Sequence, residues 1–182
     1  MSRLGSGTSI PIKGLTVEAD TTEDIEAMKA LSRFAFGAQF VEAHVDLDSG
    51  EIVVPRMLGV FSAGRILNAR TARSQFIGGM TMGLSMALHE KGVLDRINGD
   101  YANHDLATYH IASFADVPAI EVEWLEETDE HVAPMGGKGI GEIGIVGTAA
   151  AVSNAVWHAT GVRVRDLPIQ PDKLLDSIPW RF

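Results

Sequence analysis

The chain has 182 residues, 46% of them hydrophobic and 21% charged, values of an ordinary soluble globular protein that on folding buries roughly 70% of the surface its unfolded chain exposes. It contains no cysteine, which excludes a disulfide framework, a thiolate zinc site, a cysteine nucleophile and protein-ligated iron–sulfur clusters, so any redox chemistry must come from a borrowed cofactor. Acidic residues outnumber basic ones 24 to 15, for a formal charge of −9; with no basic patch, no membrane-length apolar run and no signal-type leader, neither nucleic acid, membrane nor an export signal of its own is expected.

Residues 1–20 are rich in Gly, Ser and Thr around Pro11 and read as a tail or linker, with one apolar run from Ile10 to Val17, ahead of a single domain over 21–182. From Thr21, two threonines able to cap, the acids Glu23, Asp24 and Glu26, and Ile25, Met28 and Leu31 at helical spacing predict a short amphipathic helix. Two apolar runs, Phe34 to Val45 and Ile52 to Phe61, flank Asp46-Leu-Asp-Ser-Gly50 and read as a hairpin. Pro55 places the second run at an edge or at a bulge. Asn68 to Lys91 has no proline, and Phe76, Ile77, Met80, Leu84, Ala87 and Leu88 share one side of a helix starting near Ala69 or Arg70. Gly78, Gly79 and Gly83 each cost that helix about 1 kcal/mol relative to alanine, which makes sense where another backbone or a ligand comes close.

After Gly92 the chain is polar and turn-rich to about Asp105. Ile120, Val122 and Trp124 then alternate with Glu121 and Glu123 as a strand buried on one face. A loop from Glu126 to Gly141 leads into an alanine-rich helix over Ile145 to Thr160, closed by Gly161; Val162 to Asp166 reads as a last strand and Asp172 to Leu175 as a last helical turn. The fold class is α+β, a mixed sheet with packed helices.

Chemistry concentrates in Gly136-Gly-Lys-Gly-Ile-Gly-Glu-Ile-Gly144, five glycines in nine residues just before a helix. Such a loop bares backbone amides for a phosphate or other anion, with Lys138 adding charge; a flexible surface loop is the plainer reading. Gly139-x-Gly141-x-x-Gly144 matches the dinucleotide fingerprint, but no buried strand precedes it, and the match by itself is weak. Glu142 stands among bare amides with Ile140, Ile143 and Ile145 around it, a setting desolvated enough for a general base near neutral pH. The alternative is a first-turn glutamate that complements the helix dipole. Gln75 has an amide that donates and accepts at once, as a heteroaromatic ring demands, or is simply a solvated helix residue. Asp46-x-Asp48-x-Gly50 lacks the later ligands of a calcium loop, His89-Glu90 lacks the second histidine of a zinc-protease helix, and the six histidines are scattered.

Taken together, Phe36-Gly-Ala-Gln-Phe40, the run from Gly59 through Arg65-Ile-Leu-Asn68 to Gln75, Gly78-Gly79, Tyr109-His110, Asp116-Val-Pro118, Gly137-Lys-Gly-Ile-Gly-Glu-Ile-Gly-Ile-Val-Gly147 and Arg165-Asp-Leu-Pro168 resemble the carboxy-terminal part of the molybdenum subunit of the xanthine dehydrogenase and aldehyde oxidase family, nearest to the bacterial periplasmic aldehyde oxidoreductase type. The resemblance covers about residues 34–176. It implies a molybdenum hydroxylase that oxidises a small aldehyde, or hydroxylates an N-heterocycle, with oxygen from water. It also implies the role of Glu142, as the base that deprotonates the molybdenum-bound hydroxyl. Lys138, Gly139, Ile140 and Gly141 would line one side of a molybdopterin cytosine dinucleotide; Arg65, Ile66, Leu67, Asn68, Ala69, Arg70, Thr71 and Gln75 would form the other wall. No side chain is implied as a metal ligand, because the cofactor's dithiolene holds the molybdenum. Ala69 departs from the proline that relatives often carry after the asparagine.

Family subunits are several times longer, so this chain would be a fragment or split-gene piece, inactive alone, that shares the cofactor with preceding domains. The implied partners are the amino-terminal portion of the molybdenum subunit, an FAD-binding subunit and a [2Fe–2S] subunit, in bacterial cytoplasm or periplasm. The alternative function is a non-catalytic nucleotide- or cofactor-binding or assembly module.

Overall fold

The computed structural model describes Glu18, Asp20 and residues 22–177. The expected tail over 1–20, with its Ile10 to Val17 run, and the capping role of Thr21 therefore lie outside the described residues, Glu18 and Asp20 apart. Contacts divide the chain into two compact units, residues 1–32 and 33–182.

In the first unit, α1 (Thr22–Ala27) is the expected short helix. The Asp20 carboxylate accepts from the Thr22 amide at 2.9 Å and its hydroxyl at 2.6 Å, and Lys29 pairs with Glu26. Ile25 and Leu31 are exposed.

The second unit is built on the expected hairpin. β1 (Phe36–Val45) and β2 (Ile52–Ser62) run antiparallel. Their turn is held by Asp46, whose side chain accepts from the amides of Asp48 and Ser49 at 2.8 and 2.9 Å. It is therefore a self-bonded turn of the kind that acids and glycine favour. Of the two readings of Pro55, the edge fails because β2 is the central strand, and the bulge holds: Glu42 faces Arg56 while His44 faces Val53, so β2 carries the extra residue where proline cannot donate. β5 (Ala119–Trp124) joins β2 in parallel, giving the mixed sheet order β1-β2-β5.

Helix α2 (Ala69–Leu88) begins where expected. The Asn68 side chain accepts from the amides of Arg70 and Thr71 at 3.0 and 3.2 Å, satisfying donors that a helix start leaves unpaired. Phe76, Met80, Leu84 and Ala87 are fully buried on one face, and the Phe76 ring stacks on Phe61 of β2 at 4.4 Å.

The predicted single helix over Ile145 to Thr160 is divided. α3 (Ile143–Val146) and α4 (Thr148–Thr160) meet at Gly147. The cause is Gln39 of β1: its amide nitrogen donates to the carbonyls of Gly144 at 2.9 Å and Ile143 at 3.3 Å, and its oxygen accepts from Thr148 at 2.7 Å. A side chain that bonds two helical carbonyls from across the sheet replaces the intrahelical ladder at that turn.

Two further readings are corrected. Val162 to Asp166 is not a strand; the Val164 carbonyl accepts from Ser153 of α4 at 2.8 Å and the segment lies along the helix without a ladder partner. The turn-rich region after Gly92 holds a small ribbon, β3 (Leu94–Asp95) and β4 (Asp100–Tyr101), which the Asn98-Gly99 pair signals. The last helix, α5 (Pro171–Leu175), has proline in its first turn.

The core lies between the sheet and the helices α2 and α4, and combines Met57, Phe61 and Val122 with Phe76, Met80, Leu84, Val152 and Val156; Ile169 and Leu174 close one end. The opposite sheet face carries exposed Phe36 and Phe40 on β1 and, across β2, exposed Glu121 and Glu123 on β5. Among the described residues no helix is long and apolar enough to cross a membrane.

Candidate functional site

Two chain segments far apart in sequence meet at the end of β2. The loop after this strand and the glycine-rich loop are stitched together by the Arg65 amide to the Gly136 carbonyl at 2.8 Å, and by the Lys138 amide to the Ala63 carbonyl at 2.9 Å. Gly64 makes the approach possible. Its φ is +65°, and a Cβ there would lie 2.3 Å from the Gly136 carbonyl oxygen, so both conformation and space demand glycine.

This seam borders a cavity of about 260 Å³ lined by Ala63, Arg65, Ile66, Leu67, Asn68, Thr71, Ala72, Gly137, Lys138 and Ile140. Residues from both sequence-predicted walls thus share one cavity. Ala69 lines a neighbouring cavity of about 570 Å³ with Arg65, Ile66 and Trp124 to Thr128. Arg70, Gln75, Gly139, Gly141 and Glu142 are exposed and line neither.

Glu142 corrects one expectation. It is exposed, not sunk among isoleucines, and it sits at the N-cap of α3 without a side-chain cap bond. Its carboxylate is committed neither to the helix nor to burial within this chain. Its placement comes from α3: a Cβ on Gly144 would meet the Phe76 carbonyl oxygen at 2.7 Å and Gly79 Cα at 3.2 Å. Gly144, two residues after Glu142, therefore packs directly on the α2 backbone at Phe76 and Gly79.

The three α2 glycines separate by role. Gly79 accommodates the backbone of Gly144 and Gly83 the Thr148 side chain, whereas among the described residues nothing lies within 4 Å of a Cβ built on Gly78. Gly139 and Gly141 are open in the same way. Gly78, Gly139 and Gly141 thus present bare, exposed backbone. Among the described residues there is no cluster of three or more His, Cys, Asp or Glu that would bind a metal directly.

Lys138 corrects a second expectation. Its ammonium does not add charge to the open loop; it turns inward, with the side chain 8% exposed, to Glu127 and to the Ser62 hydroxyl, both at 2.9 Å. One Glu127 oxygen also accepts from Ser62 at 2.7 Å and from the Gly64 amide at 2.6 Å. The Lys138 ammonium first, then the Ser62 hydroxyl and the Gly64 amide, hold the Glu127 carboxyl below its ordinary range against the opposing effect of burial. Glu127 is not picked out by sequence reasoning, and Ser62 and Gln39, which fall inside motifs that carry the resemblance, are given no role by it, because their partners lie 11 to 109 residues away. Only the buried position of the motif lysine would have asked for a carboxylate partner.

The sequence profile of the Molybdopterin cofactor-binding domain matches residues 10–118. The aldehyde oxidoreductase molybdenum-binding subunit PaoC of Escherichia coli is 50% identical over 151 residues, 83% of this chain and 21% of that protein. The xanthine dehydrogenase molybdenum-binding subunit of Escherichia coli O157:H7 is 37% identical over 143 residues, 79% of this chain and 19% of that one. Among solved structures, the aldehyde oxidoreductase of Desulfovibrio desulfuricans superposes with a TM-score of 0.72 at 30% identity, over 80% of this chain and 16% of its own. The chain spans about a fifth of the length of the curated relatives named here.

Proposed function

The chain belongs to the molybdopterin cofactor-binding family of xanthine dehydrogenases and aldehyde oxidoreductases, and from that premise we propose that it forms one wall of the active site of a molybdenum hydroxylase. The observation that carries this reading is the juxtaposition of the 65–72 segment and the glycine loop around one open cavity, with Glu142 unburied at its end.

When bound, the molybdenum cofactor, proposed here in its cytosine dinucleotide form, would supply oxidation of an aldehyde or N-heterocycle carbon with oxygen derived from water. The chain's residues then do the following. Amides of the 139–141 segment, unencumbered by side chains at Gly139 and Gly141, meet the cofactor's anionic and polar groups. Ile66, Leu67 and Ile140 give the cavity apolar walls, while Arg65, Asn68 and Thr71 supply polar edges. Gln75 offers its amide as donor and acceptor. Glu142 takes, at a carboxylate oxygen, the proton that water must lose, and its exposure in this chain leaves it available to a site closed by the rest of the subunit. Arg70 and Ala69 contribute through the start of α2, which Asn68 fixes.

Residues 21–182 are proposed to be one cofactor-binding domain that works only with the remainder of a molybdenum subunit, and with FAD and [2Fe–2S] subunits to carry electrons away. The test is Glu142→Gln in the complete enzyme. Turnover falling by two orders of magnitude or more, with molybdenum and pterin content unchanged, supports the base assignment. Undiminished turnover overturns it and returns the chain to a cofactor-binding or assembly role.

A further inference from the structure

We propose that Lys138 is a positioning residue and not an anion ligand: held by Glu127 and Ser62, its ammonium fixes the glycine loop against the loop after β2, leaving backbone amides alone to face the cofactor. This rests on the reading of the adjoining cavity as a cofactor wall, but the node is defined by its own geometry.

Three segments converge on one carboxylate oxygen. Ser62 brings the end of β2, Gly64 the following turn, and Lys138 the glycine loop, at 2.7, 2.6 and 2.9 Å from Glu127 Oε1. The Lys138 ammonium also donates to Ser62 Oγ at 2.9 Å, lies 3.9 Å from Asp129 and sits over the Phe36 ring at 5.6 Å. These partners cover most of the ammonium, and its side chain is 8% exposed. A lysine so enclosed would have to break an ion pair and leave a partly buried carboxylate unmatched to reach an external phosphate. Lys138 is among the residues that line the cavity, and its amide is bonded to the Ala63 carbonyl. The side chain sets where the loop lies, and the loop's amides do the binding.

The test is ammonium-detected ¹H–¹⁵N NMR of the 182-residue chain, with Lys138→Met to assign the signal. A hydrogen-bonded, water-protected ammonium is expected to give a resolved Lys138 peak that inorganic pyrophosphate does not move and that Glu127→Gln abolishes. Amide exchange at Gly64 and Arg65 is expected to quicken about tenfold in Glu127→Gln while the β1-β2 ladder stays protected, as for a local opening. A Lys138 peak that is missing in the unmodified chain, or that shifts with pyrophosphate, overturns the proposal. So does a Glu127→Gln chain whose peak and exchange match the original. Should that variant not fold, Ser62→Ala removes one partner of the same ammonium and must broaden or shift the peak. None of these readings depends on the loaded enzyme, so a failed cofactor assignment would leave them standing and the two failures are distinguishable.

Discussion

Gly78 and Gly83 sit in the same helix, five residues apart, and substituting each by alanine should have opposite effects on stability. Both changes remove the backbone-entropy penalty of a helical glycine, about 0.8–1 kcal/mol. At Gly78 nothing among the described residues lies within 4 Å of the new methyl, so the full gain is expected, a rise in melting temperature of roughly 2–4 °C for a chain of this size. At Gly83 the methyl would lie 2.5 Å from Thr148 Cβ and 2.9 and 3.0 Å from its Cγ2 and Oγ1. Thr148 is fully buried, and its hydroxyl bonds to Gln39 and to the Gly144 carbonyl at 2.7 and 2.9 Å. It cannot rotate away without breaking both bonds. Overpacking of this kind costs about 1–3 kcal/mol, which cancels or outweighs the gain and separates the two variants by about 1–3 kcal/mol. Because the substitutions are chemically identical, their effects on the unfolded chain largely cancel in the comparison. Urea unfolding followed by helix circular dichroism measures the difference. A Gly83→Ala chain as stable as Gly78→Ala would refute the close packing of α2 on α4.

Two further outcomes are expected. Asn68→Ala removes the cap of α2 and should cost about 1 kcal/mol, read as a lower urea midpoint with unchanged slope; no loss would mean that the Arg70 and Thr71 amides do not depend on that side chain. The second is a pH effect at Glu127. Its folded-state carboxyl is held below the ordinary 4.5 by Lys138, Ser62 and Gly64, so its contribution is fully present above that value and is lost as pH falls through the depressed one. The stability gap between the unmodified chain and Glu127→Gln should therefore be widest near neutral pH and shrink as pH falls below 4.5. Asp46, Asp95, Asp105 and Asp116, also held low by hydrogen bonds within their own loops, persist in both chains and leave the comparison undisturbed. A gap constant with pH would remove the carboxylate from the account.

What was legible in the sequence is what local physics dictates. Alternation and helical periodicity marked β1, β2, β5 and α2 because each buries one face, and the Asp46 turn follows from the chemistry of single residues; Pro55 left an edge and a bulge open, and the Asn68 cap is seen only in the structure. The glycine loop and its resemblance to a cofactor-binding motif were equally plain. The strand expected at Val162 to Asp166 failed because a strand needs a neighbour, and Ser153 of α4 takes one of its carbonyls instead. The helix expected whole was cut because Gln39, more than 100 residues away, competes for its carbonyls.

The sequence by itself thus determined most of the elements and the family, and it named the residues from which a molybdopterin wall is proposed to be built. Only the tertiary structure decided how two of those residues are used, turning Lys138 inward onto Glu127 and leaving Glu142 out. The reason is physical: a charge answers to whatever partner and solvent lie within a few ångströms of it, and the folded chain brings Glu127 and Ser62 to that distance from Lys138.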